Sequence, residues 1–204
     1  AGPCREICAL TGASMQTVTR LCRLGLLEQQ EREVLRSPKQ ALPPPAEPIT
    51  LTDEQQTAFD GLSAQMEREK PGAALLYGVT GSGKTAVYVA LIQKALDEGR
   101  SAMLLVPEIA LTPQLLGRMT AHFGKTVAVL HSSLRVGERY DEWRRIARGE
   151  ARVVVGTRSA VFAPLQSPGL LIFDEEQEHT YKSENAPRYH AREIALWRGA
   201  KEGA

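Results

Sequence analysis

The chain has 204 residues, 43% hydrophobic and 24% charged, the balance of an ordinary soluble globular protein with room for one sizeable domain and a small one. Its net charge of +1 excludes nucleic-acid binding by overall basicity, so such binding must come from a local patch. No apolar run approaches the roughly 20 residues of a membrane span, no secretory leader is visible, and three cysteines (Cys4, Cys8, Cys22) without a second pair at zinc spacing fit a reduced cytoplasmic setting.

The first predicted element in chain order is a helix. Met15, Val18, Leu21 and Cys22 recur at helical spacing, with Ser14 placed to cap the start and Gly25 to end it. "LLEQ" (26–29) and "EVLR" (33–36) then suit a short hairpin. Residues 1–37 therefore read as the C-terminal part of a winged-helix DNA-binding module whose Arg20 and Arg23 face phosphates, and equally as a small packing domain with a solvated helix face. Residues 38–48 carry five prolines, which donate no backbone hydrogen bonds, and are expected to form a stiff linker.

From residue 49 to 204 the pattern alternates. Apolar, strand-like runs at 74–77, 102–106, 127–130, 152–156 and 170–173 are interleaved with helical patterns at 53–69, 84–97, 113–122 and 137–148. Near-continuous apolar strands separated by helices predict an α/β fold, a doubly wound parallel sheet. Ligands of such sheets sit beyond the carboxyl ends of the strands. The unusual segments "GVTGSGKT", "PEIALTPQ", "HSS", "GTRSA" and "DEEQ" each directly follow a strand, which predicts one composite site.

Gly78, Val79, Thr80, Gly81, Ser82, Gly83, Lys84 and Thr85 match G-x-x-x-x-G-K-[ST] between an apolar strand and a helix. Glycines let backbone N–H groups surround phosphate oxygens, and the next helix turns its positive end to the same anion. Lys84 would reach the β/γ-phosphates of ATP and Thr85 would ligate Mg²⁺. Asp174, directly after a buried strand, is the expected acidic partner for Mg²⁺, and Glu175 can orient or deprotonate a water. Upstream, Thr52 and Gln55 form a capping-box pair, and the Gln55 amide suits an adenine edge equally well. Arg144, Arg145, Arg148 and Arg152 in "WRRIARGEAR" read as a solvated helix face rather than a DNA patch.

Taken together, "LTDEQQTAF", "LLYGVTGSGKTAVY", "LLVPEIALTPQ", "VLHSSL", "GTRSAVFAP", "FDEEQEHTYK" and "PRYHARE" resemble the first, RecA-like motor lobe of superfamily 2 helicases, and more closely the replication-restart DNA helicases among them. The resemblance covers nearly everything from Ile49 to Trp197. It implies an ATP-dependent 3′→5′ helicase acting on single-stranded and forked DNA, partnered by primosome proteins and single-strand-binding protein in a bacterial cytoplasm. It further implies backbone contacts to DNA by Thr112, Thr157, Arg158 and Ser159. The stretch after "DEEQ" resembles an aromatic-rich loop in which Tyr181, Lys182, Arg188 and Tyr189, with His179 and His190, would meet DNA. Gln177 stands where the family usually has histidine, and it can hydrogen-bond across a site but cannot take a proton; it is counted here with Lys84, Asp174 and Glu175 among the catalytic candidates. A chain that starts with alanine is expected to be an excerpt, with the second lobe, its arginines and the family's zinc-binding cysteines elsewhere. The competing expectation is a module whose nucleotide merely switches DNA affinity; a transporter ATPase is disfavoured by the lack of an "LSGGQ"-like segment.

Overall fold

A computed structural model describes residues 4–30, 44, 46, 48–68, 70–79 and 81–204. They belong to two compact units, Ala1–Leu35 and Arg36–Ala204.

In the first unit, helix α1 (Cys4–Thr11) is followed after a three-residue turn by α2 (Met15–Arg23). The Ser14 hydroxyl accepts from the Thr17 N–H at 3.2 Å, capping α2 as its sequence predicts. Beyond the helix Gly25 turns left-handed (φ 70°), and the N–H groups of Gly25 and Leu26 donate to the carbonyls of Cys22 and Leu21. That double bond pattern is a Schellman motif, which satisfies the last free carbonyls of the helix. The expected hairpin is not formed by its first half, because residues 26–30 carry no strand. Its second half, and most of the expected 38–48 linker, lie outside the described residues. Of the linker, Ala46 donates its N–H to the Ala121 carbonyl of the larger unit at 3.0 Å.

The second unit runs α3 (Asp53–Met66), α4 (Lys84–Asp97), β1 (Ser101–Leu105), α5 (Pro113–Phe123), β2 (Val127–Leu130), α6 (Val136–Ala147), β3 (Val153–Gly156), β4 (Pro168–Phe173) and α7 (Ala191–Glu202). The strands form one parallel sheet in the order β2-β3-β1-β4. Alternate residues supply two cores. Met103, Leu105, Ala128, Leu130 and Val154 pack on one face with Ile146 of α6 and Ala191 and Ala195 of α7. Ala102, Leu104, Val153, Val155 and Ile172 pack on the other with Val89 and Ile92 of α4 and Met119 and Phe123 of α5. Both faces are covered, which is why β1 and β3 read as unbroken apolar runs. No helix among the described residues is long and apolar enough to cross a membrane.

One expected strand is absent. Residues 71–79 pair with no other strand, and Leu75 and Tyr77 are 79% and 90% exposed. The four-residue apolar run is bounded by Pro71–Gly72 and Gly78, and glycine and proline resist a regular ladder. Periodicity marks such a run as strand-like, but a ladder also has to offset the entropy of ordering each residue, about 1–2 kcal/mol. At the carboxyl rim, Gly156 marks a close approach: a Cβ there would lie 2.4 Å from the Leu130 carbonyl oxygen and 2.5 Å from the Ala160 Cβ. Bare backbone thus lets the turn after β3 fold against the end of β2.

Candidate nucleotide-binding site

The glycine loop ends at Gly83, which opens α4 in the left-handed region (φ 80°) without a side-chain cap. A Cβ at Gly83 would stand 2.3 Å from Gln55 Nε2. The amide is that close because it closes the loop from outside: Nε2 donates to the Ser82 carbonyl at 3.1 Å, and Oε1 accepts from the Thr52 N–H at 3.1 Å. Thr52 Oγ1 accepts in turn from the Gln55 N–H, completing the capping box. Each end of the amide thus makes one bond within the protein, and one N–H and one lone pair remain for the adenine-edge contact expected of Gln55. Lys84 Nζ donates to the carbonyls of Gly78 (2.6 Å) and Val79 (3.2 Å), so its ammonium is folded into the loop. Thr85 sits part-buried in the first turn of α4, and Thr80 lies outside the described residues.

Asp174 is held by its backbone and by its side chain. Its N–H donates to the Leu105 carbonyl at 2.9 Å, continuing the β1–β4 pairing one step past the strand. Its carbonyl accepts from the Tyr181 hydroxyl at 2.7 Å, and the same hydroxyl lies 2.9 Å from the Leu105 carbonyl. Its carboxylate Oδ1 accepts from the Tyr88 hydroxyl at 3.1 Å. Burial first, and the Asp174 charge second, push both phenols well above the usual tyrosine range. Both hydroxyls consequently stay protonated at neutral pH and act as donors. Glu175 adopts a left-handed backbone (φ 48°), a conformation that costs a non-glycine residue of order 1–3 kcal/mol and that recurs at functional sites. Gln177 Nε2 donates to Glu175 Oε2 at 2.6 Å. Beside them Glu176 pairs with Arg192 of α7. Gly78, Lys84, Tyr88, Glu175 and Gln177 line a single cavity of about 830 Å³, which continues along β4.

The residues expected at DNA divide. Ser159, Lys182 and Arg188 are exposed and open to a ligand. Thr112 caps α5, accepting from the Leu115 N–H at 3.2 Å. Thr157 and Tyr181 are corrected: at 4% and 1% exposure they are core residues, and the Tyr181 ring packs edge-on to Phe173 rather than offering a face to a base. Arg158 is turned inward, donating to the carbonyls of Thr180 (3.2 Å) and Lys182 (2.6 Å), with its guanidinium over the Tyr189 ring. Tyr189 is half-buried against Phe162. His179 is exposed, and His190 Nδ1 accepts from the Arg192 N–H as the N-cap of α7. The arginine face is corrected in part. Arg145 pairs with Glu142 at 2.9 Å and also donates to the Lys125 carbonyl, and Arg152 donates to the carbonyls of Leu96 and Arg100. Both are staples between elements. Arg144 lies over the Tyr140 ring, and Arg148 is 3.9 Å from Glu150.

Sequence reasoning missed Tyr88, the side chain that joins the phosphate-loop helix to Asp174. Its signal was present as an aromatic one helical turn after Lys84, on the face that turns toward the sheet. Arg198 was missed as well; it donates to the carbonyls of Val161 and Ala163 and fastens α7 beneath the segment after β3.

The DEAD/DEAH box helicase family matches residues 52–196 of the chain. Over 197 residues the chain is 48% identical to the replication restart protein PriA of Bacillus subtilis (strain 168), covering 96% of this chain and 24% of that protein. It is 43% identical over 190 residues to PriA of Synechocystis sp. (93% and 22% covered) and 41% identical over 189 residues to PriA of Chlamydia pneumoniae (91% and 25%). The chain thus spans about a quarter of the length of these relatives.

Proposed function

The chain belongs to the DEAD/DEAH box helicase family, and from that premise we propose that it is the first motor lobe of an ATP-dependent 3′→5′ DNA helicase that restarts replication at forked DNA. The observation that carries this reading is the shared cavity: Gly78 and Lys84 of the phosphate loop line it together with Glu175 and Gln177 of the acidic segment. The likeness to replication restart proteins supports the choice of forked DNA and of primosome partners. Gly78 to Thr85 would hold the triphosphate. Lys84 would exchange the two carbonyls it now binds for phosphate oxygens, a stronger charge-assisted contact. Glu175, steadied by Gln177, would orient the attacking water.

The donors present suit Mg²⁺. Thr85 and Asp174 offer hard oxygen ligands, and Mg²⁺ favours one or two carboxylates completed by phosphate and water over an all-protein cage. Bound there with the nucleotide, Mg²⁺ would neutralise charge on the phosphates. We place the arginines that complete the site in a second lobe of a longer protein, so the 204-residue chain alone should turn over ATP slowly; losing an arginine finger costs about 10³-fold or more. Exposed Ser159, Lys182 and Arg188 would carry the DNA backbone.

The test is Lys84→Ala in the full-length protein. Unwinding should be abolished with fork binding nearly intact. A variant that still unwinds would refute the role given to Lys84, and strong DNA-stimulated turnover by the isolated chain would refute the divided site.

A further inference from the structure

We infer that Tyr88 is a positioning residue: it locks the Asp174 carboxylate to the helix that carries the phosphate loop, so that the two halves of the Mg²⁺–nucleotide site keep one spacing. The inference rests on the reading of Asp174 as the acidic partner for Mg²⁺. Asp174 has its backbone fixed at both ends of the residue, the N–H on Leu105 and the carbonyl on Tyr181. Its remaining freedom is rotation of the side chain. Tyr88 removes it, as the one side-chain donor to that carboxylate among the described residues, and it uses Oδ1 alone. Oδ2 accepts no hydrogen bond there and keeps its lone pairs for a cation.

The phenol is itself well placed by the fold. Tyr88 is 7% exposed and packs in the core of Val89, Ile92, Leu104, Val106 and Ile172, so its hydroxyl cannot follow a wandering carboxylate. It lies four residues beyond Lys84 on α4. A rigid helix therefore sets the distance between the lysine and the carboxylate by way of one hydrogen bond. Groups that orient a metal ligand in this way typically change metal affinity about 10–100-fold when removed.

The experiment uses the full-length protein and a fluorescent ATP analogue, with binding titrated in EDTA and across Mg²⁺ concentrations. Tyr88→Phe keeps the ring and the packing but loses the hydroxyl. The Mg²⁺ midpoint should rise about 10-fold while affinity in EDTA is unchanged. On an Asp174→Asn background, Tyr88→Phe should produce no further shift, as expected of two groups acting through one contact. An unchanged midpoint in Tyr88→Phe overturns the inference. So does an equal loss of affinity with and without Mg²⁺, which would mark a packing role only. A lower midpoint overturns it too, since the hydroxyl would then be blocking the carboxylate. If Asp174→Asn alone leaves the midpoint unmoved, the assignment of Asp174 itself fails, and this inference with it.

Discussion

Tyr181→Phe removes one buried hydroxyl from the junction of β1 and β4 and leaves everything else in place. The ring is 1% exposed and keeps its edge-on contact with Phe173, centroid to centroid 5.1 Å. Of the two carbonyls near the hydroxyl, Leu105 retains the Asp174 N–H as a donor at 2.9 Å, whereas Asp174 loses the donor at 2.7 Å. The part-buried Asp174 carbonyl left without that donor costs about 1–3 kcal/mol. For a unit of this size each kcal/mol moves the melting temperature about 2–4 °C, so a loss near 2 kcal/mol gives a fall of roughly 4–8 °C. Differential scanning calorimetry on wild type and variant measures it directly. A melting temperature within about 1 °C of wild type would mean that the hydroxyl contributes nothing net, and that Asp174 is anchored by the strand ladder alone.

Two further outcomes follow from side-chain geometry. Arg158 turns its Nη1 to the Thr180 and Lys182 carbonyls, so Arg158→Ala should weaken single-stranded DNA binding without changing its salt dependence, whereas exposed Arg188→Ala should lower the log–log salt slope by about 0.7. A slope reduced by Arg158→Ala in equal measure would make Arg158 a direct phosphate contact. His122 is held below the usual histidine range by burial and then by the Arg118 charge. Its folded form binds a proton less readily than the unfolded chain, so its contribution is full above about pH 6.5 and is lost as the pH falls through the lower folded value. Urea unfolding at pH 8 and 5.5 should show a smaller acid loss in His122→Gln than in wild type, and equal losses would refute it.

The sheet was legible because both its faces are covered: Ala102 to Val106 and Val153 to Val155 must be apolar at every position, and that pattern has few other readings. The caps at Ser14 and Thr52 were legible for a local reason, since each needs only the next three residues. What periodicity could not supply is partnership. The run at 74–77 is as apolar as the paired strands yet lies along a cavity instead of in a ladder. Residue type gave the location of Thr157, Arg158 and Tyr181 at the strand ends but not the direction in which they point. A hydroxyl or guanidinium beside a parallel sheet's rim can face a ligand or a neighbouring carbonyl, and these three face inward.

That inward direction has a consequence for how the two halves of the rim communicate. Arg158 follows β3 and binds the carbonyls on either side of Tyr181, at Thr180 and Lys182. Tyr181 in turn spans Leu105 at the end of β1 and Asp174 at the end of β4. The segment with exposed Ser159 is therefore tied to the Asp174 backbone by two consecutive side chains, while Tyr88 ties the Asp174 carboxylate to the phosphate-loop helix. Asp174 is the one residue at which these ties meet, gripped through its main chain from one side and through its side chain from the other. A displacement of 180–182 must act on the Asp174 carbonyl while Tyr88 resists it at the carboxylate. The two hydroxyl deletions should accordingly separate: Tyr181→Phe acts on stability, and Tyr88→Phe on Mg²⁺ dependence. The same symptom from both would mean that the backbone and the carboxylate of Asp174 move as one.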